Sequence, residues 1–85
     1  MKHWASSDFW YSYRRLPAPI RDVADKNFAL LKNDPRHPSL RLKRVGDYYY
    51  SVRIGSAYRA LGVEVKDGML WFWIGNHADY EKLVR

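Results

Sequence analysis

Two arginines, a histidine and a tyrosine stand close to chain reversals, where they could meet a phosphate. Arg53 projects from the polar side of a strand read over Tyr48 to Ile54, and Arg59 begins the next strand across the Gly55-Ser56 turn. The two guanidiniums can therefore clamp one phosphate. His77 follows the last apolar strand and Tyr80 lies one helical turn further on, so both can reach the same spot beside the sheet. A His and a Tyr near two Arg suit transesterification on RNA. The ribose 2′-OH must lose a proton, the phosphate under in-line attack must be stabilised, and the 5′-oxygen must be reprotonated. In this reading His77 is base or acid, Tyr80 is a stacking platform or proton relay, and the arginines hold the equatorial oxygens. Each residue also has a plainer structural reading. Arg53 could be a surface arginine over Tyr49, Arg59 a cation anchored by a helix carboxylate, His77 a residue of a helix N-terminal turn, and Tyr80 a packing partner of Leu83.

Charge supports a polyanionic partner. Fifteen Lys and Arg against nine Asp and Glu leave a net +6 on 85 residues. From Arg36 to Arg59 six bases, Arg36, Arg41, Lys43, Arg44, Arg53 and Arg59, are opposed by Asp47 alone, so five of the six surplus charges fall in that stretch. A run of bases is often no more than a solvated face. Here Tyr48, Tyr49, Tyr50 and Tyr58 are interleaved with it, and rings that stack on bases beside cations that neutralise phosphate point to nucleic acid. Arg41, Lys43 and Arg44 are thus candidate RNA contacts.

Other chemistries lack their residues. There is no cysteine, hence no disulfide framework and no thiolate zinc site. The histidines at 3, 37 and 77 occur in three unrelated contexts, so no metal is expected, and the absence of a Gly-rich phosphate loop argues against a nucleotide cofactor. The longest apolar run, Met69 to Ile74, is far short of the roughly 20 residues that span a bilayer, and the N-terminus lacks the apolar stretch of a signal peptide. A soluble cytoplasmic protein is expected, with residues 1–85 as one domain.

The elements that must position these residues follow from periodicity. Ser6 or Ser7 caps a first helix with Phe9, Tyr13 and Leu16 on one stripe, ending near Leu16. Pro17-Ala18-Pro19 breaks it and opens a second helix whose Ile20, Val23, Ala24, Phe28 and Leu31 keep a 3.6-residue period, giving a helical hairpin. Asn33-Asp34-Pro35-Arg36-His37-Pro38 stops that helix, and the pattern then alternates. Strands are expected at Arg41 to Val45, Tyr48 to Ile54, Tyr58 to Val65 and Met69 to Ile74, joined as an antiparallel meander, with a short helix from about Ala78 to Val84. The last strand is apolar on both parities and should be covered on both sides. Lys2 to Ala5 is too brief for periodicity to decide whether it adds an edge strand. The fold class is α+β: a helical hairpin on a small, mainly antiparallel four-stranded sheet with a short C-terminal helix.

Longer stretches carry a resemblance. Asn33-Asp34-Pro35-Arg36-His37-Pro38-Ser39-Leu40, Tyr50-Ser51-Val52-Arg53-Ile54-Gly55, Tyr58-Arg59-Ala60-Leu61-Gly62 and Trp71-Phe72-Trp73-Ile74-Gly75-Asn76-His77-Ala78-Asp79-Tyr80 resemble the RelE/ParE superfamily of bacterial toxins, over essentially the whole chain. The resemblance implies the small α+β, microbial-RNase-like fold already read from periodicity. It further implies the toxin of a toxin-antitoxin system, held by an antitoxin protein. In the RelE-like branch such a toxin is an mRNA interferase, an endoribonuclease that cuts mRNA on the ribosome and inhibits translation. On that pattern Arg53 and Arg59 occupy phosphate-binding strand positions, and Arg59 is the firmer match through its Tyr-Arg pair. His77 resembles a C-terminal histidine of some ribosome-dependent members, Tyr80 the terminal aromatic, and Lys43 and Arg44 bases that meet RNA. The Gly-Asn-His segment departs from the arginine-rich stretch of RelE proper. The ParE-like branch, which inhibits DNA gyrase without cutting RNA, and a non-catalytic nucleic-acid-binding module are the alternatives.

Overall fold

A computed structural model describes residues 2–84. The chain runs β1 (Lys2–Ala5), α1 (Ser7–Arg14), α2 (Ala18–Asn33), a 3-10 turn (Pro38–Leu40), β2 (Lys43–Val45), β3 (Tyr49–Ile54), β4 (Tyr58–Val65), β5 (Gly68–Asn76) and α3 (His77–Val84). Ser6 caps α1 with its Oγ, accepting from Phe9 N–H at 3.2 Å. Pro17 precedes α2 and Pro19 occupies its first turn, where a missing N–H costs nothing. Both helices lie on one side of the sheet, tied to each other where Tyr13 Oη donates to Asp25 Oδ1 at 2.7 Å.

The sheet has five strands in the order β1-β5-β4-β3-β2. This corrects the expected four. Lys2–Ala5 pairs parallel with β5 from Gly68 to Trp71, so the sheet is mixed, with antiparallel pairing everywhere else. A four-residue strand shows two alternations at most, too few for a period to register. Its neighbour does carry a trace of it: a Cβ at Gly68 would collide with the backbone of Lys2, so only glycine lets β1 come this close.

Two boundaries also move. β2 begins at Lys43 rather than Arg41, because Arg41 closes the 3-10 turn in a left-handed conformation at φ 45°. β5 runs on to Asn76, and α3 starts directly at His77.

A register shift explains why the last strand is apolar on both parities. Leu61 pairs with Trp73 and Gly62 with Trp71, so Phe72 is the extra residue of a β-bulge. Trp71, Ile74 and Met69 thereby join Val52, Ile54 and Ala60 in the core under α1 and α2, with Leu16, Ala24, Leu31 and Leu40 from the helical side. Phe72 instead meets Tyr49, with ring centroids 5.4 Å apart, on the opposite face. That second face is covered in part by α3, which inserts Tyr80.

Candidate functional site

The site is built at the end of the β3–β4 hairpin. Gly55 takes a positive φ of 63°, which turns the chain tightly enough for Arg53 and Arg59 to become direct antiparallel partners. They share a face with Ser51 and Leu61, the face away from α1 and α2. Arg53 donates from Nε to the Gly55 carbonyl at 3.1 Å, and Arg59 donates from Nη1 to the Tyr58 carbonyl at 2.8 Å. Neither meets a carboxylate: among the described residues the one ion pair is between His77 and Glu81. Among the described residues no helix carboxylate anchors Arg59.

Two like charges placed opposite each other repel, and here both are half-buried. Burial pushes the Arg59 guanidinium below its ordinary range, and the Arg53 charge pushes the same way. Tyr80 and Glu81 draw it back up, while Arg41 adds to the lowering. Three arginines therefore press on one another around a spot that an anion would relieve.

The first turn of α3 is stitched to this hairpin. His77 N–H donates to the Ala57 carbonyl at 2.8 Å, and the Asn76 side chain caps the helix by accepting from Asp79 N–H at 2.8 Å. The His77 ring is half-exposed, lies 5.7 Å from the Tyr80 ring, and has Nε2 at 3.1 Å from Glu81 Oε1. Its Nδ1 is thus the nitrogen left for a ligand. Tyr80 is buried at 5% exposure and reaches Ser51 Oγ with its hydroxyl at 3.4 Å. Ser51 is itself 1% exposed, so this contact seats α3 on the sheet. Tyr80 accordingly stands as the packing anchor of the helix that carries His77, with its ring tilted 37° to the histidine's.

The remaining bases divide. Lys43 pairs with Ser51 and so lies on the Arg53–Arg59 face, exposed. Arg44 pairs with Tyr50, which puts it on the opposite face, and its Nη2 donates to the Asp47 carbonyl at 2.5 Å. Arg41 stands exposed beside the hairpin end, lining a depression with Arg53. The structure therefore gathers Arg41, Arg53, Arg59 and His77 at one end of the sheet, places Lys43 on the same face farther along β2, and sets Arg44 apart.

Three contributors escaped the sequence reading. Glu81 sits four residues after His77, the spacing of a helical pair, and that spacing was the available signal. Asn76 before His77 is a standard helix cap. Ser51 had no local signal, because its partner Tyr80 is 29 residues away.

Residues 18–82 match the sequence pattern of the ParE-like toxin domain family. The chain belongs to that family. It is a ParE-like toxin, within the RelE/ParE superfamily. No curated protein sequence gives a significant match. Among solved structures, the RelB-RelE antitoxin-toxin complex from Methanococcus jannaschii is similar to the toxin with a TM-score of 0.71 at 16% identity, covering 96% of this chain and 99% of that one. YafQ from E. coli strain BL21(DE3) matches with a TM-score of 0.72 at 12% identity, over 93% and 96% of the two chains. The YoeB/ParE toxin from Agrobacterium tumefaciens matches with a TM-score of 0.69 at 16% identity, over 91% and 99%. At such identities these likenesses establish the fold, the α+β architecture of RelE-like toxins. Among the described residues no helix is long and apolar enough to cross a membrane.

Proposed function

We propose that the toxin is a ribosome-dependent mRNA endoribonuclease in which Arg53 and Arg59 hold the scissile phosphate and His77 moves a proton. One observation carries the reading: two half-buried arginines face each other across β3 and β4, with no carboxylate partner among the described residues. A fold that tolerates this repulsion gains when a phosphate arrives.

The chemistry needs no group beyond these side chains and the RNA. The ribose 2′-OH gives up its proton, the 2′-oxygen attacks the adjacent phosphorus, and the bond from phosphorus to the 5′-oxygen breaks as that oxygen is protonated. Charge builds on the equatorial oxygens, where the arginines lie. His77 Nδ1, with Nε2 turned to Glu81, serves one of the two proton transfers. The products of this step are a 2′,3′-cyclic phosphate and a 5′-hydroxyl, and addition of water to the cyclic phosphate leaves a 3′-phosphate. Lys43 and Arg41 extend the positive surface along the same end and face, and Arg44 contributes to the overall field from the other side.

An antitoxin is the expected protein partner, and the likeness to the toxin of the RelB-RelE complex supports it. Its tail would meet the basic face, since an acidic or amphipathic segment complements five surplus positive charges. The compartment that fits this role is the cytoplasm.

The matched family is named for ParE, and this favours a second reading in which the toxin inhibits DNA gyrase and cuts no RNA. Two assays separate them. The toxin added to translating ribosomes should produce new mRNA 5′-ends by primer extension while leaving gyrase supercoiling intact; intact mRNA with blocked supercoiling would establish the second reading instead.

A further inference from the structure

A shallow depression opens beside the arginine pair, on the flank of the hairpin end away from His77. Asn27 of α2, Ser39 and Arg41 of the 3-10 turn, and Arg53 and Ser56 of the hairpin line it, around a space of about 410 Å³. No acidic residue is among its walls. Of the groups facing in, Arg53 spends Nε on the Gly55 carbonyl, and the Ser39 hydroxyl is engaged by His37 Nδ1 at 2.6 Å. Arg41, by contrast, makes no side-chain hydrogen bond or ion pair among the described residues. The terminal nitrogens of Arg53, the Arg41 guanidinium and the Ser56 hydroxyl are therefore the donors on offer.

The position of Arg41 is set by the fold at a cost. Leu40 before it is fully buried and Leu42 after it packs on the core, so the residue between them has little freedom. Its backbone is held at φ 45°, ψ 45°, a left-handed conformation that side chains with a Cβ enter unfavourably. Asparagine or glycine would sit there more easily. Arg41 lies outside the β2–β3 ladder, which begins at Lys43 and Ser51, and it meets Arg53 as a fellow wall of the depression. Arg59, the strand partner of Arg53, is not among those walls, so the depression opens beyond the arginine pair rather than between its members.

We infer that this depression is a second phosphate subsite, in which Arg41, Ser56 and the outer face of Arg53 bind the phosphate next along the RNA from the one held by Arg53 and Arg59. The inference rests on the reading that the arginine pair holds a phosphate, but not on RNA being cut. The ligand is a nucleotide chain with two consecutive phosphates. Arg53 stands between the subsites, and a ligand that fills both is held in one register relative to His77.

The test is a calorimetric titration of the purified full chain, without ribosomes, at fixed low salt. Adenosine 3′,5′-bisphosphate should bind about tenfold more tightly than adenosine 3′-monophosphate, since the second phosphate engages a prearranged site. In Arg41→Asn that advantage should vanish, with bisphosphate affinity falling several times more than monophosphate affinity, and the bisphosphate's salt dependence should lose about one ion's worth of slope. The same variant should melt no lower than wild type, because asparagine accepts the left-handed backbone, so lost binding cannot be blamed on unfolding. Ser56→Ala should give a smaller loss of the same kind. Equal affinity for the two nucleotides, or an undiminished bisphosphate advantage in Arg41→Asn, would overturn the subsite. So would a tetraglutamate peptide that binds as tightly as the bisphosphate and is lost equally in Arg41→Asn, which would assign the depression to carboxylates. If the bisphosphate behaves as expected while mRNA on ribosomes stays whole, the subsite stands and the nuclease reading fails.

Discussion

The two faces of the sheet solve opposite problems with the same strands. On one side Val52, Ile54, Ala60, Trp71 and Ile74 meet Leu16, Ala24 and Leu31 of the helical side, a surface with no charge to satisfy and large rings to bury. On the other, the same β3 and β4 set Arg53 against Arg59 at their ends, and α3 covers only the stretch around Ser51, where Tyr80 is inserted. Successive residues alternate between the two jobs, so the helix-facing side holds the fold while the other side carries an electrostatic cost. In so small a domain stability has to come from the dense aromatic face, which leaves room opposite for cations that meet no carboxylate among the described residues.

Substitutions can break this division, and the largest effect on stability belongs to the core. Trp71→Ala should cost about 3–5 kcal/mol in a denaturant melt, because the ring is 4% exposed and its indole N–H also donates to His3 Nδ1. A loss below about 1 kcal/mol would mean that the helix-facing side does not carry the fold. Arg59→Ala should do the reverse: cleavage of ribosome-bound mRNA falls by roughly 10²–10³, the scale for removing a group that stabilises developing charge. Its melting temperature should stay level or rise, since a like-charge pair is relieved. A marked fall in stability would show that Arg59 is structural.

Tyr80→Phe probes the boundary between the faces. Removing its hydroxyl leaves Ser51 without its partner and should lower stability by about 1 kcal/mol, with cleavage reduced no more than the looser seating of α3 explains. A loss of cleavage comparable to Arg59→Ala, with stability unchanged, would instead give the hydroxyl a direct part in proton transfer.

The smallest effect is a pH dependence in the helix-facing half. His3 stacks on Trp71, accepts its indole N–H on Nδ1, and is held below the ordinary value of 6.5 mainly by burial, with the positive charges of the N-terminus and Lys32 adding to the lowering. The unfolded chain therefore takes up a proton first as pH falls, so stability is intact above about 6.5 and declines through the window below it. Melting temperature against pH should show this dip in wild type and a flatter line in His3→Phe; identical curves would remove His3 from the account.

How much of this was legible depended on the range of the signal. The helices and four of the five strands announced themselves through their patterning, and Ser6 and Pro19 marked the starts of α1 and α2 by known stereochemistry. β1 did not, because a parallel edge strand of four residues is specified by its partner β5 and by the absence of a side chain at Gly68. The bulge at Phe72 was visible only as an unexplained run of apolar residues, and its meaning needed the β4 register. At the site, the Arg53–Arg59 pairing was readable because a short turn fixes hairpin register. The burial of Tyr80 and the approach of Arg41 were not, since both depend on contacts between segments far apart in sequence.

Whether Arg53 and Arg59 at the hairpin end hold an RNA phosphate for cleavage is decided by primer extension on mRNA from translating ribosomes, with wild-type toxin beside Arg59→Ala and His77→Ala proteins of unchanged melting behaviour. Discrete new 5′-ends are expected with wild type, and their near disappearance in both variants. Intact mRNA with the wild-type protein, or equal cutting by all three, would overturn that role.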